Sequence, residues 1–171
     1  MNTTTTTASA FFYIDGIPTK GAWVELDSST TWETIADAIR EAIPGADCDE
    51  ILCADAEGLA RHFLGRYDGF DLKAWSEWIE TAEASDLDPE IVALYCDNVG
   101  QWDAEAVRAA EENYYGAYVS HEEFAVELLN NTGDLASMPE HLSYYFDYQK
   151  CANDLLMTDF FEAEGHYFFN A

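Results

Sequence analysis

The sequence predicts an α+β fold made of three small subdomains. Apolar residues form 49% of the 171-residue chain and aromatic residues 15%, which is enough to bury a core and excludes a disordered acidic tail. Strand-like segments occur towards both ends, and segments with helical spacing fill the middle. We therefore predict an N-terminal ββαβ domain (1–57), a central helical domain (58–113) and a C-terminal α+β domain (114–171).

In the N-terminal domain, two strands are predicted at residues 10–14 and 21–26, and a third at 50–55. Thr30 and Glu33 have the spacing of a capping box that opens the intervening helix. That helix is predicted to end at Pro44-Gly45. Its apolar face carries Trp32, Ile35, Ala36, Ile39 and Ile43.

Three helices are predicted in the central domain, each preceded by an aspartate. Asp71, Asp88 and Asp103 are suitable N-cap residues, and Pro89 occupies the favoured first helical position. The residues predicted to face inward are Leu72, Trp75, Ile79 and Ala82 in the first helix and Ala106, Val107 and Ala110 in the third.

The C-terminal domain is predicted to begin with a strand at 114–119. Ser120 and Glu123 form a second capping box, and a further helix starts at Pro139 with Leu142, Tyr145 and Phe146 at helical spacing. Asp147 caps another helix, whose apolar face carries Cys151, Leu155 and Leu156. Aromatic strands at 159–161 and 166–169 flank Glu164-Gly165, which is typical of a tight hairpin turn.

The chain is strongly acidic, with 34 Asp and Glu residues against 7 Lys and Arg and a formal net charge of −27. Direct nucleic-acid binding is therefore disfavoured, because no basic stripe is present to replace phosphate counterions. Three predicted helices carry acids at intervals of three or four residues, and the lysines that usually alternate with them are missing. The candidate partner-binding carboxylates are Glu33, Asp37, Glu41, Glu77, Glu80, Glu83, Glu111, Glu112, Glu122, Glu123, Glu127, Asp147, Asp154 and Asp159.

Two interpretations of this charge remain open from composition. The first is mimicry of duplex DNA, since 27 charges correspond to roughly 46 Å of duplex at one charge per about 1.7 Å. The second is a halophilic or generic acidic protein of unrelated function, in which the acid rows are solvated helix faces.

Sequence motifs for catalysis, cofactors or metals are missing. The four cysteines have no CxxC spacing, and the four histidines lie in separate segments without the helical pairing of a zinc protease. There is no P-loop or dinucleotide-binding fingerprint, so we expect neither an enzyme nor a cofactor. Lacking a signal-like N-terminus and a membrane-length apolar run, the chain is expected to be cytoplasmic and to make no membrane contact.

With these segments placed, the sequence resembles the ArdA antirestriction protein family over nearly its whole length. The most specific segments are near the C-terminus, and Asn153 stands where the family pattern has Arg, which removes one more base. The segments that carry the resemblance are 13–16 (YIDG), 21–26 (GAWVEL), 50–58 (EILCADAEG), 139–142 (PEHL), 146–148 (FDY), 152–155 (ANDL) and 165–169 (GHYFF).

This resemblance implies an elongated DNA mimic that dimerises through its C-terminal domain and is carried by mobile genetic elements. It also implies the partner, a Type I restriction-modification enzyme, whose methyltransferase and specificity core would be blocked in its DNA-binding groove.

Overall fold

A computed structural model describes residues 8–14 and 20–170. The chain divides into two compact units, Met1–Arg108 and Ala109–Ala171. Both contain helices and a three-stranded antiparallel sheet, so the predicted α+β class is confirmed. The division into three subdomains stays a prediction.

The first unit begins with the predicted ββαβ order. Strands β1 (Ala8–Ile14), β2 (Gly21–Glu25) and β3 (Ile51–Gly58) form a sheet in the order β2-β1-β3, and helix α1 (Trp32–Ala42) lies between β2 and β3 in sequence. The central strand β1 carries the fully buried side chain of Phe12. The sequence also predicts a turn at Asp15-Gly16 between β1 and β2, and this turn lies outside the described residues.

The capping box of α1 differs from the prediction by one residue. Thr31 is the N-cap and exchanges hydrogen bonds with Thr34, whereas Thr30 is buried in a turn with Asp27. The prediction of Thr30 and Glu33 is therefore wrong. Thr30 and Thr31 both fit the sequence pattern of an N-cap. Because the Thr30 hydroxyl is already hydrogen-bonded to Asp27, Thr31 caps the helix.

The rest of the first unit is helical. A short 3₁₀-helix (Leu59–Phe63), which the sequence did not indicate, is followed by α2 (Leu72–Ala84) and α3 (Pro89–Val99). Helix α4 (Ala104–Asn113) begins in the first unit and ends in the second. All three predicted N-caps are confirmed, because Asp71, Asp88 and Asp103 accept hydrogen bonds from backbone N–H groups in the first helical turn. The residues predicted to face inward from α2 and α4 are buried: Leu72, Trp75, Ile79, Ala82, Ala106, Val107 and Ala110.

The second unit contains β4 (Tyr114–Ala117), α5 (His121–Asn131), α6 (Asp134–Ser137), α7 (Glu140–Ser143), α8 (Tyr148–Thr158), β5 (Phe160–Ala163) and β6 (His166–Phe169). The sheet order is β4-β6-β5. Glu164 and Gly165 both have positive φ, 52° and 84°, as a two-residue hairpin of type I′ requires, so the predicted turn is confirmed.

An aromatic cluster forms the core of the second unit. The Phe124 ring from α5 stacks on Tyr167 from β6 with centroids 4.3 Å apart, and Phe160 from β5 meets Phe124 edge-on at 5.0 Å. All three side chains are buried. Ala152 from α8 completes the same cluster, while Leu155 and Leu156 pack at its edge.

Two C-terminal expectations need correction. The helix predicted from Pro139 is a single turn, and Tyr145, expected on its apolar face, is 86% exposed. The segment between Pro139 and Asp147 is too short to propagate a long helix, because the chain turns again before Asp147 caps α8. The capping box at Ser120 is also only half right: Ser120 accepts from the Glu123 N–H, but the Glu123 carboxylate accepts from Val119 and not from Ser120.

Candidate partner-binding surface

Every aspartate and glutamate among residues 8–14 and 20–170 is exposed. Of the 34 acids in the chain, Asp15 is the one that lies outside these described residues. Ionised carboxylates are very costly to bury without a partner, and the cores are built from aliphatic and aromatic side chains instead. Each of the fourteen candidate carboxylates is therefore accessible to a partner.

The helices place nine of these carboxylates in short rows. Glu33, Asp37 and Glu41 follow one exposed side of α1, opposite the buried Ile35 and Ile39. At about 1.5 Å rise per residue, the eight steps from Glu33 to Glu41 extend roughly 12 Å along the axis. The other two rows are Glu77, Glu80 and Glu83 on α2, and Glu122, Glu123 and Glu127 on α5.

Two basic residues neutralise part of these rows, as their spacing predicts. Arg40 lies 2.9 Å from Asp37, and Lys73 lies 3.5 Å from Glu77. Both pairs are exposed, so each contributes well under about 1 kcal/mol to stability and leaves the carboxylates hydrated.

Two of the candidate carboxylates also support the fold. Asp147 caps α8 by accepting a 2.9 Å hydrogen bond from the Lys150 N–H, and Glu123 accepts from the Val119 N–H at 2.9 Å. Since each of these bonds uses one carboxylate oxygen, the other oxygen remains available to a partner. Replacing either residue would disturb local structure as well as surface charge.

Three candidates in the second unit line one groove. Asp147, Asp154 and Asp159 line a cavity of about 500 Å³ along α8, together with Lys150. The remaining pair, Glu111 and Glu112, is exposed near the end of α4. The groove therefore collects three acids that lie up to twelve residues apart in sequence.

The thiols and histidines offer little reactive chemistry. All four cysteines are free, and burial raises the pKa of Cys53 and of Cys96 to about 11, so both stay protonated at neutral pH. His62 stacks on Trp102 with ring centroids 3.7 Å apart, and partial burial lowers its pKa. In the described ranges there is no group of three His, Cys, Asp or Glu side chains that could hold a metal ion.

One exposed residue escaped the sequence analysis. Tyr67 is 94% exposed at the tip of a turn between Leu64 and Phe70, with a backbone φ of 58°. Gly65 and Gly69 on either side of it are typical turn residues. Their spacing around an aromatic residue was the signal that could have identified it.

Within the described part of the chain, no helix combines the length and apolarity needed to cross a membrane. A comparison with curated proteins gives no match. The family model described as antirestriction protein (ArdA) matches residues 12–169, nearly the whole chain. This match spans both compact units and every candidate carboxylate. The chain therefore belongs to the ArdA family of antirestriction proteins, inhibitors that act against restriction enzymes.

Proposed function

We propose that this antirestriction protein mimics the charge track of duplex DNA and blocks the DNA-binding groove of a Type I restriction-modification enzyme. The observation that carries the proposal is the exposure of every described acid, with nine of the candidate carboxylates in rows on three helices. A groove that binds DNA is lined by Lys and Arg side chains, and ordered carboxylates offer them the same kind of partner as phosphates.

The amount of charge fits this role. A net charge of −27 corresponds to roughly 46 Å of duplex, which is more than one helical turn. A field of this strength accelerates encounter with a basic groove, and the acceleration falls as salt increases. Binding is distributed over many carboxylates, so no single one is decisive.

We further propose that the chain acts as a homodimer in the cytoplasm of cells receiving a mobile genetic element. Support for a dimer comes from large side chains exposed in the second unit, because such side chains are typical of association surfaces. The most exposed are Val119, Tyr144, Tyr145 and Met157.

Displacement of DNA from a Type I methyltransferase tests the proposal. Labelled target DNA is bound to the enzyme at low salt, the acidic protein is added, and a gel shift reports release of the DNA. Sedimentation of the acidic protein alone gives its mass and so tests the proposed dimer. We expect release at about one inhibitor dimer per enzyme and weaker release as salt rises. Retention of the DNA at a large excess of inhibitor would overturn the proposal.

Matched charge variants test whether the rows matter. Glu77→Gln, Glu80→Gln and Glu83→Gln together remove three charges from one helix face. Asp47→Asn, Asp49→Asn and Glu50→Gln remove the same number from an exposed loop. We expect the helix variant to weaken inhibition by about tenfold, at roughly 0.2–1 kcal/mol per exposed pair, and the loop variant to weaken it less. Equal losses would show that total charge, not its alignment, controls binding.

A further inference from the structure

The turn that carries Tyr67 has a demanding backbone. The Gly65 N–H donates to the Gly69 carbonyl at 2.7 Å, and the Gly69 N–H donates back to the Arg66 carbonyl at 3.3 Å. The two residues between Arg66 and Gly69 are Tyr67 and Asp68, each with φ of 58°. This is the φ signature of a type I′ turn, whose central positions are normally Gly, Asn or Asp.

The two central residues differ in what they contribute to the fold. The Asp68 carbonyl accepts a 2.6 Å hydrogen bond from the Cys53 N–H, and its carboxylate accepts one from the Tyr13 hydroxyl at 2.5 Å. Aspartate also tolerates positive φ well. Asp68 therefore ties the turn to the sheet and is suited to its backbone conformation.

Tyr67 has neither advantage. A bulky residue at positive φ is strained, and a side chain that is 94% exposed gains almost nothing from burial. An asparagine would form the same turn more easily. The turn therefore places an aromatic ring in solvent with no benefit to the folded chain itself.

Resting on the DNA-mimic function proposed above, we infer that Tyr67 is an anchor residue that packs its ring against an arginine or lysine in the DNA-binding groove of the restriction enzyme. The face of an aromatic ring attracts a guanidinium or ammonium group. Arg66 and Asp68 flank Tyr67 and carry opposite charges, so the turn has no net charge and its most prominent feature is the aromatic ring. Exposed tyrosines of this kind are common anchors in protein interfaces.

This contact differs from the carboxylate rows in its response to salt. Long-range attraction between exposed charges is screened at a Debye length of about 10 Å in 0.1 M salt, whereas a ring packed directly on a cation excludes water and ions. The contribution of Tyr67 to affinity is therefore expected to persist at salt concentrations that weaken the rows.

The test compares Tyr67→Asn with Tyr67→Phe in the full-length protein, measuring the affinity for a Type I methyltransferase and the Tm of each variant. Tyr67→Asn is expected to keep or raise the Tm, because the turn is relaxed, and to bind about 5- to 30-fold more weakly at both low and moderate salt. Tyr67→Phe keeps the ring and is expected to bind within about threefold of the wild type.

Glu164→Asn is the matched control. Glu164, with a φ of 52°, is the first central residue of a second turn in the described part of the chain whose two central residues both have positive φ. It relaxes the same kind of strain and is expected to change affinity by less than about twofold.

If the wild type displaces DNA but Tyr67→Asn binds equally well, only the Tyr67 inference is overturned. A wild type that displaces no DNA overturns the proposed function and this inference together. A clear fall in the Tm of Tyr67→Asn would assign Tyr67 to the fold and overturn the inference, as would equal losses in the Asn and Phe variants.

Discussion

Asp27 shows how a single exposed carboxylate can organise local structure. Its Oδ1 accepts hydrogen bonds from the Ser29 N–H at 2.9 Å, the Ser29 hydroxyl at 2.8 Å and the Thr30 hydroxyl at 3.0 Å. Its carbonyl accepts from the Trp75 indole N–H at 3.2 Å, which links the turn before α1 to α2. The hydrogen bonds, the largest contribution coming from the Ser29 side chain, hold the pKa of the Asp27 carboxyl below its ordinary value of 3.8.

The pH dependence of stability tests this arrangement through Asp27→Asn. A lowered pKa in the folded state means that the carboxylate stabilises the protein above the pKa of the unfolded chain, and that this stabilisation is lost as pH falls. Asparagine keeps the acceptor without the charge, so we expect it to cost roughly 0.5–1 kcal/mol at pH 7. The cost should begin to fall at about pH 4 and be lost as pH drops through the folded-state pKa, which lies lower. Urea unfolding at pH 7 and pH 3.5 measures the cost at each pH, and a cost that is no smaller at pH 3.5 would contradict the expectation.

At the level of residues, sequence reasoning succeeds where a feature is local. Asp71, Asp88 and Asp147 were predicted as caps because a capping bond depends only on the next three residues. Thr30 and Thr31 could not be separated, since the choice depends on the turn at Asp27. The strain at Tyr67 was also beyond reach, because the sequence shows a turn but not the sign of φ.

Among the elements, α2 illustrates a conflict between charge and helix stability. Glu80 and Glu83 lie in its second half, where the helix dipole disfavours negative charge, and the last turn has no basic residue. Together with Glu77 they form like-charge pairs at three-residue spacing. Lys73 relieves only the N-terminal end of this row.

Replacing Glu80 and Glu83 by glutamine should therefore stabilise the protein. Glutamine has a similar helix propensity, and the Lys73–Glu77 pair is untouched. Removing two like-charge pairs and two unfavourable dipole contacts is expected to add about 0.5–1 kcal/mol at low salt. Thermal melts in 10 mM and 500 mM NaCl test this, because the gain should shrink at the higher salt concentration. A lower Tm at both salt concentrations would show that these carboxylates support the fold.

Element order could be predicted, but pairing and length could not be predicted everywhere. The ββαβ order and the final hairpin follow from alternation and turn residues. The position of β6 between β4 and β5 depends on long-range contacts that include the Tyr114 ring against Phe168, with centroids 5.3 Å apart. The helix predicted from Pro139 looked longer because Leu142, Tyr145 and Phe146 have helical spacing, yet Leu142 and Tyr145 remain exposed.

For the whole molecule, salt dependence distinguishes partner recognition from adaptation to brine. Both cores are dense in aromatic rings, so we expect the purified protein to remain folded in dilute buffer. Added KCl should raise the Tm moderately by screening repulsion among the 34 acids. Circular dichroism melts from 10 mM to 3 M KCl provide the measurement. A chain that is unfolded below molar KCl would favour the halophilic interpretation left open by composition.

The only buried polar residue among positions 8–14 and 20–170 is Thr30, and no charged residue is buried there. Consequently the stability of the fold depends little on surface charge: apart from the few acids that cap helices or hold turns, an acid can be moved or lost without exposing the interior. The pattern of surface charge can therefore change in evolution while the same buried core is kept.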